Sequence, residues 1–335
     1  MSSDLNIAII GAGMAGLSCA RVLAAGGLRV RLFDKGRGPG GRLSTRRAQT
    51  PLGELRFDHG AQFFTARSAR FSQLVHELAA GGHVARWTPR WAPGQEDGAE
   101  RWTGTPGMNQ VIKALSDGLD VSWSRQVTAI ERQADGRLSP ITATGDHLGA
   151  FDAVLVAVPA EQAGALLRPL APALADEADA ARSAPCQAVM ALFDPPVPAP
   201  FDAWRGAGPV LQLAVRETGR PGRDGPDRWV LHASAEWSRA HLEEPPEAVA
   251  EAMIAAFRDL TGAPAPLWSA AHRWRYARVE TPVQAGAGHE AGWDGAVRIG
   301  CCGDWRIGGR IEAAFLSGEA LGQAVLAALA PSPVA

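Results

Sequence analysis

Residues 5–34, LNIAIIGAGMAGLSCARVLAAGGLRVRLFD, decide the fold. The apolar run 5–10 predicts a strand that ends at Gly11-Ala12-Gly13-Met14-Ala15-Gly16. Small and apolar residues then recur at helical spacing through Leu17, Ala20, Val22, Leu23 and Ala24, up to the stop signal Gly26-Gly27. Residues 28–33 alternate as a strand does and end on Asp34. Strand, glycine turn, helix and strand within about 30 residues make a βαβ unit, the nucleus of a parallel sheet covered by helices. Gly11, Gly13 and Gly16 fit G-x-G-x-x-G. The first permits the tight turn, the second lets a pyrophosphate approach the backbone, and the third brings helix against strand. The helix N-terminus adds unpaired N–H groups and partial positive charge. Asp34 is placed to accept hydrogen bonds from a ribose diol, and its charge disfavours a 2′-phosphate. A dinucleotide site is expected around Gly11, Ala12, Gly13, Ala15, Gly16 and Asp34.

The flanking sequence selects the dinucleotide. Residues 36–47, GRGPGGRLSTRR, are too rich in glycine and arginine for a regular element. Gly40-Gly41-Arg42 places flexible backbone and a guanidinium just after the acid, which suits a second phosphate contact and the extended arm of FAD. Near the other end, residues 297–302 form a last strand before Gly303-Asp304, and Gly308-Gly309-Arg310-Ile311 starts a closing helix over 311–329. Such a helix can aim its N-terminus at the flavin pyrimidine edge, where negative charge appears on reduction. Asp304 can hold a ribityl hydroxyl.

Between these ends, 151–160 (FDAVLVAVPA) reads as a strand buried on both faces and 161–183 as helical. Residues 186–193, 209–215 and 228–235 read as strands of a second, more antiparallel sheet, with Pro- and Gly-rich loops at 195–200 and 219–227 and a helix over 246–260. The fold class expected is α/β: a Rossmann-like FAD-binding domain with a mostly parallel sheet, plus an interleaved α+β substrate domain with a mainly antiparallel sheet. The FAD-binding domain takes residues 1–68, 105–160 and 281–330; the substrate domain takes 69–104 and 161–280.

The chain of 335 residues is 46% hydrophobic and 20% charged, with a net charge of -2. That composition excludes a disordered chain, and the charge balance argues against bulk nucleic-acid binding. No stretch nears about 18 uninterrupted apolar residues, so no membrane span is expected. The start MSSDLNIAIIGAG lacks the basic region, apolar run and cleavage site of a signal peptide, so a cytoplasmic location is expected. Cys19, Cys186, Cys301 and Cys302 show no metal spacing and read as buried small residues; no metal is expected.

IIGAGMAGLSCA, FDKGRGPGGRLSTRR and CGDW…GGRIEAAFLSG resemble the flavin-containing amine oxidase superfamily. Within it, DHGAQFFTAR (58–67), TPGMNQVI (105–112), WVLHASAEWS (229–238) and HRWRYAR (272–278) are similar to the bacterial renalases. The similarity runs from about residue 5 to residue 328. It implies a non-covalent FAD oxidase that takes hydride from isomeric 2- or 6-dihydro-NAD(P), returns NAD(P)+ and, with O2, gives H2O2. The same resemblance puts FAD against Ala12, Asp34, Lys35, Arg42, Ala61, Gln62, Val127, Asp304 and Ile311. Its substrate segment falls on Phe63, Phe64, Thr65, Ala66 and Arg67, with Gln187 and His232 near the open flavin face. Gln187 stands where the family leads one to expect an aromatic ring, and the 88–101 loop is short and unlike the family.

Phe63 and Phe64 are adjacent, so on an extended segment one faces the core and the other is free to face a ring. His272, Trp274 and Tyr276 alternate along a predicted strand and share one face. Hydride transfer from a dihydropyridine needs no general base, so no catalytic acid/base pair is expected and the chemistry belongs to the flavin. Two rival functions remain open: a true amine oxidase, and a flavin-binding sensor without turnover. The first is disfavoured because Lys35 and Lys113 are the only lysines and Tyr276 the only tyrosine.

Overall fold

The computed structural model describes residues 5–283 and 289–329. The βαβ unit forms where the sequence predicts it, as strand β1 (Asn6–Ile10), helix α1 (Met14–Ala25) and strand β2 (Arg29–Phe33). β1 and β2 pair in parallel from Asn6↔Arg29 to Ile10↔Phe33. The sheet they nucleate has six strands in the order Gly292–Asp294, Ile299–Cys301, Ala153–Val156, β1, β2, Asp120–Ser122. Every neighbouring pair is parallel except the first. Ile7, Ile9, Val154, Leu155 and Val156 are fully buried, so both faces of the central strands are covered, as a parallel sheet requires.

Two compact units divide the chain. The first comprises residues 1–41, 112–183 and 279–335, the second 42–111 and 184–278. These limits differ from the expected domain limits for packing reasons. Residues 161–183 join the first unit because they fold as two helices, Ala160–Leu167 and Pro172–Ala180, whose apolar faces share a core with Val154, Val156 and Ile299. Pro169 and Pro172 divide the helical stretch expected there into two. The closing helix Ile311–Leu329 packs on α1, with Gly318 so close that a Cβ there would lie 2.1 Å from the Ala15 carbonyl oxygen. By length and composition this helix could cross a membrane, contrary to the sequence expectation, but half of that apolar window is buried within the fold.

Residues 42–68 and 105–111 join the second unit. Where an irregular stretch was expected, Arg46–Thr50 pairs with Gly53–Phe57 as a hairpin, and Ala48 and Phe57 pack with Met190 and Val230. The main sheet here has the order Ala203–Arg205, Leu211–Arg216, Asp227–Ala233, Arg182–Phe193, Trp268–Thr281. Its neighbours run antiparallel where the register is defined, for instance Ala188↔His232 and Met190↔Val230. Helix Pro246–Thr261 covers one face, seating Val249, Met253 and Phe257 on Phe193, Trp229 and Leu231.

Candidate cofactor and substrate sites

In the first unit the glycine loop has the geometry that a dinucleotide needs. Gly11 holds φ +103°, and a Cβ there would sit 2.5 Å from the Ala157 carbonyl oxygen. A Cβ at Gly16 would lie 1.9 Å from the Gly11 oxygen, so helix and turn meet backbone to backbone. Around a Cβ at Gly13, by contrast, nothing lies within 4 Å. That open cradle lies at the start of α1, whose N-terminus carries no side-chain cap and no acidic first turn. Its free N–H groups and partial positive charge suit a pyrophosphate.

Asp34, at the end of β2, accepts from the Ala12 N–H at 2.8 Å and the Gly36 N–H at 2.7 Å, one on each oxygen. A carboxylate keeps further lone pairs for a ribose diol. The Arg125 N–H donates to the Asp34 main-chain oxygen and the Ser124 N–H to the Gly36 oxygen, which brings the entry to strand Val127–Arg132 beside the acid. Val127 itself turns its side chain into the core, and Lys35 is exposed. At the far end of the sequence, the Gly303 N–H donates to Ser317 Oγ at 2.9 Å, Asp304 is buried, and Ile311 opens the closing helix. These residues fit FAD.

In the second unit, segment 58–67 runs beneath a wall of rings. His59 meets His272 edge-on at 4.6 Å and Trp274 at 5.0 Å. The Trp274 indole donates to the His59 main-chain oxygen at 3.0 Å, and His232 Nε2 lies 3.3 Å from that same oxygen. His59 Nδ1 is buried without a partner. Burial, then the charge-disfavouring neighbours His272 and Arg46, pushes the His59 pKa down to about 3. Burial likewise lowers His232 to about 4. Both imidazoles are neutral at neutral pH. Arg42, the first residue of this unit, accepts through its main-chain oxygen from the Ala61 N–H at 2.9 Å.

Beneath the segment lies a cluster that sequence reasoning missed. Asp58, Glu217, Arg220 and Arg223 are all buried, and the two carboxylates share the two guanidiniums. Asp58 also accepts from Thr45 Oγ1 at 2.5 Å and from the Met108 N–H at 3.0 Å. Burial raises the Asp58 carboxyl, but Arg223, Arg220 and these hydrogen bonds outweigh it and hold its pKa below the ordinary value. Glu217, raised first by burial and also by the charge of Asp58, lies above its ordinary value. Arg220 donates to the Gln62 main-chain oxygen at 2.8 Å and so ties the cluster to the segment. The stretch that supplies Glu217, Arg220 and Arg223, ETGRPGR (217–223), reads by composition as a plain Pro- and Gly-rich loop. Its acid followed by two arginines at a spacing of three was the available signal.

The expected substrate residues divide. Phe63 packs on Trp87 at 5.7 Å and Trp91 at 6.3 Å, with the Arg101 guanidinium 5.2 Å from its ring. Thr65 and Ala66 are half-buried and Arg67 is exposed. Phe64 is 5% exposed and packs inward on Phe71, its main chain bridging Trp102. Gln187 is buried as well. It is 2% exposed, and its amide donates to the His241 oxygen at 2.9 Å, so it serves the chain itself. Gln62 is buried too, with its amide turned to the Gly60 oxygen at 3.0 Å. The 88–101 loop folds around Arg101, which Asp97 holds through both oxygens and which lies over Trp91 at 4.8 Å. Among the described residues no group of acids, cysteines and histidines could hold a metal ion.

Known proteins match both parts of the sequence. The pattern of NAD(P)-binding Rossmann-like domains matches residues 9–78, and that of flavin containing amine oxidoreductases matches residues 81–326. Among solved structures, a putative protoporphyrinogen oxidase from Exiguobacterium sp. 255-15 superposes with TM-score 0.74 at 14% identity, covering 98% of this chain and 100% of its own. Cyclohexylamine oxidase from Brevibacterium oxydans IH-35A gives the same TM-score, identity and coverage. Putrescine oxidase bound to putrescine gives 0.65 at 15% identity, covering 96% and 99%. At such identities the likeness shows the fold alone. The family pattern covers most of the chain, however, and with the glycine cradle and acid of the first unit it makes this protein a FAD-dependent oxidoreductase that belongs to the flavin containing amine oxidoreductase family.

Proposed function

We propose that the enzyme is a renalase-like oxidase of isomeric reduced nicotinamide dinucleotides. It takes hydride from 2- or 6-dihydro-NAD(P), releases NAD(P)+, and passes the two electrons to O2, which takes the hydride's own proton and one more from solvent to give H2O2. FAD, bound non-covalently, supplies the hydride-accepting chemistry. The observation that carries this reading is the character of segment 58–67 and its neighbours: flat rings and neutral imidazoles, with no lysine among them. A dihydropyridine loses no proton from its donor carbon, so ring-stacking surfaces and fixed polar contacts are sufficient. Lys35 and Lys113 are both exposed, which leaves no buried lysine to order a water for amine chemistry.

FAD would be held by Gly11, Ala12, Gly13, Ala15, Gly16, Asp34, Lys35, Gly41, Val127, Gly303, Asp304 and Ile311, and the family resemblance adds Arg42, Ala61 and Gln62. Phe63, Thr65, Ala66, Arg67 and His232 would receive the substrate, joined by His59, His272 and Trp274. Burial supports a non-covalent cofactor, since it raises the Cys301 thiol to about 11 and Cys302 well above the ordinary value and so suppresses the thiolate. The test is anaerobic mixing with 2-dihydro-NAD(P), 6-dihydro-NAD(P), NADH and a panel of primary amines while flavin absorbance is followed. One of the misplaced-hydride isomers should bleach the flavin roughly a hundredfold faster than NADH, the cost of about 1 Å of misplacement. Equal bleaching by NADH or by an amine would overturn the reading.

A further inference from the structure

Five arginines are buried among the described residues, and four of them hold a carboxylate: Arg101 with Asp97, Arg220 with Glu217, Arg223 with Asp58, Arg306 with Glu177. Arg228 is the exception. It is 6% exposed, it donates once, from Nη2 to the Asp224 main-chain oxygen at 3.0 Å, and its Nε is buried without a partner. A guanidinium left buried without a carboxylate partner is costly, and an anion that reached it would relieve that cost. Arg228 lines a cavity of about 280 Å³, open on one side, together with Arg56, Arg223, Asp58 and Glu217. That volume holds several waters or a group the size of phosphate.

We infer that this cavity is a binding site for a small oxyanion, a carboxylate or a phosphate group, received by the Arg228 guanidinium. The planar fork suits both chemistries, since either can accept two parallel hydrogen bonds. Four carboxylates share the lining, and none satisfies Arg228. Asp58 and Glu217 are committed to Arg220 and Arg223, while Glu54 and Asp224 are exposed, where water screens them. Burial first, and then the like charge of Arg223, hold the Arg228 pKa below its ordinary value although Glu217, Asp227 and Asp224 raise it. The cavity shares Asp58 and Arg223 with the cluster under segment 58–67, so an anion here would load the same framework that positions that segment.

The test titrates FAD-loaded enzyme with inorganic phosphate in one arm and acetate in another, reading the melting temperature; the arms separate the two sources of the anion. A saturable rise is expected in at least one arm, because a ligand that binds only the folded state stabilises it. Arg228→Met should keep its FAD, melt higher than wild type in anion-free buffer, and bind the anion at least about tenfold more weakly. A rise that persists unchanged in Arg228→Met would place the anion elsewhere and overturn the proposal, as would no rise in either arm. Wild-type crystals soaked in selenate give a second readout should the variant fail to fold. An anomalous peak beside Arg228 supports the site, and an empty cavity refutes it. Neither readout measures turnover, so the outcome is independent of which donor reduces the flavin.

Discussion

Acid should destabilise the second unit through two histidines. The perturbation is a drop from pH 7.5 to pH 5.0. At pH 5.0 the unfolded chain carries a proton on imidazoles whose ordinary value is 6.5, whereas folded His59 and His232, at about 3 and about 4, carry almost none. A depressed histidine leaves its full stability in place above pH 6.5 and loses it as pH falls toward the folded value. At 1.36 kcal/mol per pH unit, each group costs about 2 kcal/mol by pH 5.0, and the pair about 4 kcal/mol. Glu217, raised in the fold, works in the opposite direction and blunts the total. The clean quantity is therefore the difference between wild type and His232→Gln, since both retain Glu217. The assay is urea unfolding followed by tryptophan fluorescence, which reports mainly this unit because all tryptophans but Trp123, Trp293 and Trp305 lie in it. Wild type should lose about 2 kcal/mol more than the variant across that interval. Equal acid slopes in the two proteins would refute the buried neutral imidazole.

Gly13→Ala should fold normally yet weaken FAD binding by about tenfold or more, because its Cβ enters the open cradle where a phosphate belongs. Gly16→Ala should instead lower the apoprotein melting temperature, since its Cβ would strike the Gly11 carbonyl; calorimetry with and without FAD distinguishes the two. Phe64→Ala should cost about 3–5 kcal/mol of stability through the cavity left beside Phe71. Phe63→Ala, on the half-buried ring, should alter KM for the best donor by more than it alters stability. The opposite pattern in the pair would reverse which of the two rings faces substrate.

The parts of this protein legible in its sequence are those whose physics is local. The glycine spacing, the helix that follows and the acid at the next strand end lie within 30 residues and constrain one another, so 5–34 folds as read. The same locality made 311–329 readable as a helix and 272–276 as a strand with His272 and Trp274 on one face. Illegible parts depend on partners far apart in the chain. The Asp58 N–H reaches Glu217 across 159 residues, and Asp58 reaches Arg223 across 165. No spacing rule connects an acid at the end of a hairpin to arginines in a Pro- and Gly-rich loop. The inward turn of Phe64 likewise follows from its bridge to Trp102, which an adjacent Phe-Phe pair does not announce.

That division explains where the chain spends buried charge. A glycine turn is held by its own backbone and needs no distant help, so the cofactor cradle can be small, open and locally encoded. Segment 58–67 has no such internal restraint: it is irregular, and its peptide groups must be satisfied from elsewhere. Arg220 on the Gln62 oxygen, Trp274 and His232 on the His59 oxygen, and Arg42 on the Ala61 N–H supply those partners from four separate stretches of chain. Ionised groups have to accompany them inside, and they are tolerable there only as the balanced set of Asp58, Glu217, Arg220 and Arg223. Removing one member leaves an uncompensated buried charge, so a single loss at Arg220 should displace Gln62 and the rings that follow it. A locally encoded cradle and a remotely braced segment are thus two solutions to one requirement, that the groups meeting a ligand be fixed before it arrives.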